Sequence, residues 1–202
     1  MRIIGGTYGG RRLKAPRNDA VRPTGERVRE AIFNLLGPLD DMAVLDLFAG
    51  TGALGLEALS RGASRVVFVD AAGAAVRLVR ENIALLGDTG DAALIVEHGD
   101  ALKFARRLGE RGERFDLILI DPPYDQVGVI LTRLLPSLGR LCRGDAKVLV
   151  ECDRRQQAEV EQLLTDGLGG TIDRSRKYGD TAVVIVLPNE EPANEADMEL
   201  SQ

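Results

Sequence analysis

The chain has 202 residues, 45% of them hydrophobic and 28% charged, which suits one globular domain with a substantial core. Two cysteines give no basis for a disulfide framework or a zinc site, and a lone histidine gives none for a His-based metal centre. No apolar run approaches a membrane span and the start lacks the apolar core of a signal peptide, so the cytoplasm is the expected compartment.

The net charge of −5 hides an asymmetry. Residues 1–30 hold eight bases against three acids and carry +5, so the remainder carries −10. A basic arm on an acidic body points to a polyanion met at one end. Arg11, Arg12, Lys14 and Arg22 are the candidate phosphate contacts, which position a nucleic acid without reading its sequence.

In chain order, residues 2–13 read as a small hairpin. Ile3, Ile4 and Leu13 anchor it, and Gly5-Gly6 and Gly9-Gly10 turn it. A polar loop bounded by Pro16 and Pro23 follows. Thr24 is placed to cap a helix that runs to about Leu36 and stops at Gly37-Pro38. From Ala43 onward strands and helices alternate. The expected strands are 44–47, 66–69, 94–97, 117–120, 148–151 and 182–187. The expected helices are 54–61, 74–86, 101–108, 127–135 and 154–164, with Asp153 and Gln156 as a capping box for the last. This rhythm predicts a parallel sheet covered on both faces. Residues 172–178 add a further strand that Gly179-Asp180 turns into an antiparallel hairpin with the last one. Residues 189–202 hold five acids and no base and read as a disordered tail.

Two stretches carry chemistry. The first runs from Ala43 to Gly55. A short apolar strand ends near Asp46, and Gly50-Thr51-Gly52-Ala53-Leu54-Gly55 is a full G-x-G-x-x-G that opens a helix. A nucleotide-type cofactor fits such a cradle, and two compete: a nicotinamide dinucleotide and S-adenosylmethionine. A carboxylate just before the turn opposes a pyrophosphate and suits a ligand bearing an ammonium and a sulfonium. Asp70, at the end of the second strand, suits ribose hydroxyls under either reading.

The second stretch is Asp121-Pro122-Pro123-Tyr124, delivered by a buried strand to the sheet's carboxyl edge, where open α/β sheets bind ligands. Two prolines fix the backbone. The Asp121 side chain and the Pro122 carbonyl become rigid acceptors, and Tyr124 offers a flat face for a base. Acceptors that grip both hydrogens of an exocyclic amine make its lone pair more available and stabilise the charge that develops during attack. Methylation of a nucleobase amine needs little more than this and positioning.

With these residues in view, the chain resembles the RsmD family of bacterial small-subunit ribosomal RNA guanine-N2 methyltransferases. The resemblance rests on Arg2-Ile3-Ile4-Gly5-Gly6, Gly10-Arg11-Arg12-Leu13, Arg22-Pro23-Thr24, the run from Arg27 to Asn34, the run from Leu45 to Ala63, and Asp121 to Tyr124. It implies a seven-stranded Rossmann-like α/β sheet that uses S-adenosylmethionine, with a small N-terminal hairpin and helix that help to bind RNA. Carried over by position, Asp46 and the turn with Gly50, Gly52 and Gly55 hold the methionine part, and Phe48 also contacts the cofactor. Asp70 holds the ribose, Asp100 and Ala101 meet the adenine, and Asp121, Pro122 and Tyr124 hold the guanine. The chain departs from many members in having Thr51 within the turn and Asp rather than Glu at position 70. The expected parts are an RNA-binding extension over 1–38, a methyltransferase domain over 39–188 and the acidic tail over 189–202, and a monomer is the expected state. A DNA amine methyltransferase, a non-catalytic assembly factor and a dehydrogenase are the competing readings.

Overall fold

The computed structural model describes residues 1–15 and 25–189. After the N-terminal segment come α1 (Glu26–Leu36), β1 (Ala43–Asp46), α2 (Ala53–Ser60), β2 (Arg65–Asp70), α3 (Gly73–Leu86), β3 (Ala93–His98), α4 (Ala101–Glu110) and β4 (Phe115–Ile120). A single 3₁₀ turn (Tyr124–Gln126) then leads into α5 (Val127–Leu141), β5 (Cys142–Asp153), α6 (Gln157–Leu168), β6 (Thr171–Tyr178) and β7 (Thr181–Leu187). One sheet of seven strands holds them in the order β3-β2-β1-β4-β5-β7-β6. The first five are parallel, and β7 and β6 add an antiparallel hairpin at one edge.

The inner strands β1, β2, β4 and β7 are mostly apolar because both faces are covered, whereas the edge strands β3 and β6 expose much of their length. Their side chains alternate between two cores. Leu45, Val67, Ile118, Val150 and Val184 pack under α4, α5 and α6. Val44, Phe68, Leu117, Leu149 and Val183 pack under α1, α2 and α3, and Ile3 and Leu13 of the N-terminal segment join this second core. Strand order reverses between β1 and β4, which pair with each other from Val44↔Leu117 to Asp46↔Leu119. In open α/β sheets the carboxyl ends of the strands beside such a reversal are the usual ligand site.

Several local expectations change. The predicted N-terminal hairpin forms, but with a single antiparallel bridge, Arg2↔Arg12, in place of two strands. Gly25 is the cap position of α1, and Thr24 lies outside the described residues. Helix α5 continues through Pro136, where the sequence suggested a stop. Val127, Leu131, Leu134, Leu138 and Leu141 form one continuous buried stripe that outweighs the hydrogen bond lost at the proline. The capping box at Asp153 is absent. Its Oδ1 instead accepts from the Arg155 amide at 2.9 Å, a tight turn that delays α6 to Gln157. The tail from residue 190 lies outside the described residues.

Candidate active site

The glycine turn is built from within. The Leu47 amide donates to the Leu119 carbonyl at 3.1 Å and the Ala49 amide to the Val69 carbonyl at 3.0 Å, so the chain leaves β1 bonded to both neighbouring strands. Gly50 and Gly52 then take φ of 53° and 78°, a region that side chains with a Cβ resist. Gly55 has a different task. A Cβ there would lie 2.3 Å from the Phe68 ring, so this glycine lets α2 settle onto β2. Phe48, half-buried, packs against the core below α4 to α6.

Asp46 is 1% exposed. Its Oδ2 accepts from the Gly55 amide at 3.1 Å, while its Oδ1 has no hydrogen-bond partner among the described residues. Burial pushes this carboxyl up to about 7, with the Gly55 amide opposing the rise and nearby Asp70 adding to it. A buried acceptor left open at a glycine turn fits a cationic ligand group.

Asp70 closes the next strand. Its Oδ2 accepts from the Gly50 amide and its Oδ1 from the Ala72 amide, both at 2.8 Å. It therefore fixes the turn and still has lone pairs for ribose hydroxyls. Asp100 caps α4, with Oδ1 accepting from the Lys103 amide at 2.9 Å, and Ala101 is buried behind it. Asp46, Asp70 and Asp100 stand at the carboxyl ends of, or just after, three adjacent strands.

Across the strand reversal, Asp121 follows β4 directly. Pro122 is buried and Pro123 exposed. Tyr124 is tethered by its hydroxyl, which donates to Glu151 Oε1 at 2.9 Å and lies 3.0 Å from Thr181 Oγ1. Burial raises the Tyr124 phenol well above its usual value, and the Glu151 and Asp121 carboxylates add to this while the Thr181 hydrogen bond opposes it. The phenol stays protonated. Sequence reading passed over Glu151 and Thr181. The Gly179-Asp180 turn that the sequence predicts is what brings Thr181 to this edge, beside the end of β5.

The N-terminal segment is held by buried charge that sequence reading also missed. Glu57 on α2 accepts from the Ile4 and Gly5 amides at 2.7 and 2.9 Å. It also pairs with Arg61 at 2.9 Å and with Arg29 at 3.7 Å, and Arg29 donates to the Arg2 carbonyl. A Cβ at Gly6 would meet the Ser60 carbonyl oxygen at 1.7 Å, so this glycine permits the close approach of segment and helix. Asn82, buried on α3, accepts from the Lys14 amide at 2.7 Å and donates to the Thr51 carbonyl at 2.9 Å. One side chain thus joins the arm to the glycine turn.

The basic arm is smaller than its charge count suggests. Arg29 is buried. Lys14 pairs with Glu81 at 2.8 Å, and Arg11 donates to the Leu85 carbonyl at 3.0 Å at the end of α3. Arg12 is exposed, and Arg22 lies outside the described residues. Among the described residues no cluster of acids, histidines and cysteines is arranged to hold a metal ion.

Comparison with known proteins identifies the family and the fold. The family model described as conserved hypothetical protein 95 matches residues 1–187. The Bacillus subtilis protein YlbH is 37% identical over 187 residues, which cover 92% of this chain and 97% of YlbH. This chain belongs to the RsmD family. A shorter match, 40% identical over 125 residues, covers 61% of this chain and 60% of the ribosomal RNA small subunit methyltransferase D of Escherichia coli K12. The solved structure of a hypothetical protein from Thermus thermophilus superposes with a TM-score of 0.75 at 30% identity, covering 93% of this chain and 99% of that one. The seven-stranded fold is therefore shared along nearly the whole chain.

Proposed function

We propose that this member of the RsmD family transfers a methyl group from S-adenosyl-L-methionine to the exocyclic N2 of one guanosine in small-subunit ribosomal RNA. The observation that carries the reading is the pairing of Asp46 with Leu119, two residues before Asp121, across the strand reversal. It sets a buried, incompletely satisfied carboxylate and a proline-fixed acceptor on adjoining strand ends of one crevice.

The cofactor, when bound, supplies an electrophilic methyl on a sulfonium. Asp46 with the Gly50–Gly52 turn would hold its cationic methionine end, Asp70 its ribose, and Asp100 with Ala101 its adenine edge. The chain's own contribution to the reaction is grip and alignment. Asp121 Oδ and the Pro122 carbonyl accept from the target NH₂, which localises the nitrogen lone pair. The same acceptors would stabilise the positive charge that develops on that nitrogen as it takes up the methyl group, until its proton passes to water. Tyr124, kept protonated, gives the guanine an aromatic wall. Arg12 and Arg22 would meet phosphates of the flanking RNA, joined by Arg11 and Lys14 where these exchange their partners on α3 for phosphate.

The test uses small-subunit particles and free ribosomal RNA from cells that lack the gene. Wild-type protein with labelled S-adenosyl-L-methionine is expected to label one guanosine, found as N2-methylguanosine by mass spectrometry. Asp121→Ala is expected to lower the rate by at least about a hundredfold. Label appearing on another base or another position, on DNA supplied in a parallel reaction, or on no nucleic acid contradicts the proposal.

A further inference from the structure

Tyr124 and its two partners belong to three different strand ends. Tyr124 follows β4, Glu151 lies near the end of β5, and Thr181 opens β7 after the tight turn at Gly179-Asp180. In the sheet β5 and β7 are neighbours, and Glu151 pairs with Val183 while Asp153 pairs with Thr181. The antiparallel hairpin at the sheet edge thus returns a hydroxyl to the carboxyl edge of the parallel strands. Thr181 is 8% exposed and Glu151 is 2% exposed, so neither serves solvent.

A phenol carries one proton. Donating it to Glu151 Oε1 at 2.9 Å obliges the phenolic oxygen to accept from the Thr181 hydroxyl at 3.0 Å. The ring is therefore held by two bonds of fixed sense. Swinging it away would leave a buried carboxylate oxygen and a buried hydroxyl without these bonds, an arrangement proteins avoid. The 3₁₀ turn over Tyr124–Gln126 and the two preceding prolines restrict the backbone as well.

We infer that Glu151 and Thr181 are positioning residues for methyl transfer, which lock Tyr124 as an immobile wall against which the target base is placed. The inference rests on the function proposed above and refines its target side. The base comes to a preformed surface, and the wall does not close over it. Accuracy at the amine then depends on the hidden ends of the tether as much as on the ring itself, because a displacement of about 1 Å can cost a hundredfold in rate.

A double-mutant cycle tests this in the full chain. Tyr124→Phe keeps the ring and removes the tether, Glu151→Ala removes its acceptor, and Thr181→Val removes its donor. Each is expected to lower the single-turnover rate of methyl transfer to ribosomal RNA by about tenfold to a hundredfold. The cofactor dissociation constant, measured by calorimetry, is expected to move less than about twofold. Glu151→Gln, which keeps an acceptor oxygen, is expected to recover most of the rate. In the Tyr124→Phe background, Glu151→Ala is expected to add almost nothing, because the bond it serves is already gone. A merely structural Glu151 gives a different pattern. Its loss would then multiply with that of the Tyr124 hydroxyl, or would lower the melting midpoint with the rate per folded molecule unchanged, and either result overturns the inference. Should Glu151→Ala fail to fold, the Thr181→Val and Tyr124→Phe pair decides by the same criterion. Wild-type protein that binds cofactor yet methylates no RNA overturns the proposed function itself, whereas an active wild type with unaffected variants overturns only the tether.

Discussion

Two buried carboxylates lie close together in the sequence and behave in opposite ways. Glu57 and Asp46 are both essentially without solvent exposure. Glu57 is surrounded by donors: the amides of Ile4 and Gly5 and the guanidiniums of Arg61 and Arg29. Asp46 receives the Gly55 amide on one oxygen and has no hydrogen-bond partner among the described residues on the other. The first is a finished structural device, which fastens the N-terminal segment and α1 to α2. The second is unfinished within the protein, and its carboxyl is pushed up to about 7 by its own burial. A buried polar group that the fold leaves open calls for a ligand, whereas one the fold saturates holds the fold together.

The comparison can be broken first at Glu57. Glu57→Gln removes the charge that offsets the buried Arg29 and is expected to lower stability by about 3–5 kcal/mol in urea titrations. A loss below about 1 kcal/mol would mean that the clamp contributes nothing beyond packing. Asp46→Asn is expected to have the smaller effect on stability, and of opposite sign. The folded carboxyl titrates above its ordinary value, so its contribution is fully present below that ordinary value and is lost as pH rises to about 7. At pH 8 the amide avoids this cost, and its ligand-free melting midpoint is expected to equal or exceed that of wild type. A clear fall would show Asp46 to be a structural group like Glu57.

The sequence revealed the parts of this molecule that are local. Apolar runs such as Val66 to Val69, interrupted by glycine turns and amphipathic helices, were enough to predict the sheet and its terminal hairpin. Asp46, Asp70 and Asp121 were legible because each sits at or just past the end of such a run. The groups that escaped reading have partners remote in the chain. Asn82 reaches Lys14 across 68 positions, Glu57 reaches Ile4 across 53, and Tyr124 reaches Thr181 across 57. No spacing rule announces such pairs, because only the closed fold brings them together. The same limit explains the arm. Counting its bases could not show that Arg29 is buried or that Lys14 and Arg11 are already engaged on α3. At Pro136 the local signal pointed to a stop, and a buried stripe that runs on to Leu141 prevailed.

The most direct measurement is a calorimetric titration of S-adenosyl-L-methionine into the wild-type protein between pH 6 and 8, in buffers of differing ionisation heat. A cation beside Asp46 holds the carboxyl ionised. Below about pH 7 binding should then release a proton, and affinity should weaken towards about tenfold per pH unit as acidity increases. Asp46→Asn should abolish the proton release. An affinity that stays level across this range, with no proton exchanged, or a tighter fit for NAD, would contradict the assignment of the crevice to a cationic methyl donor.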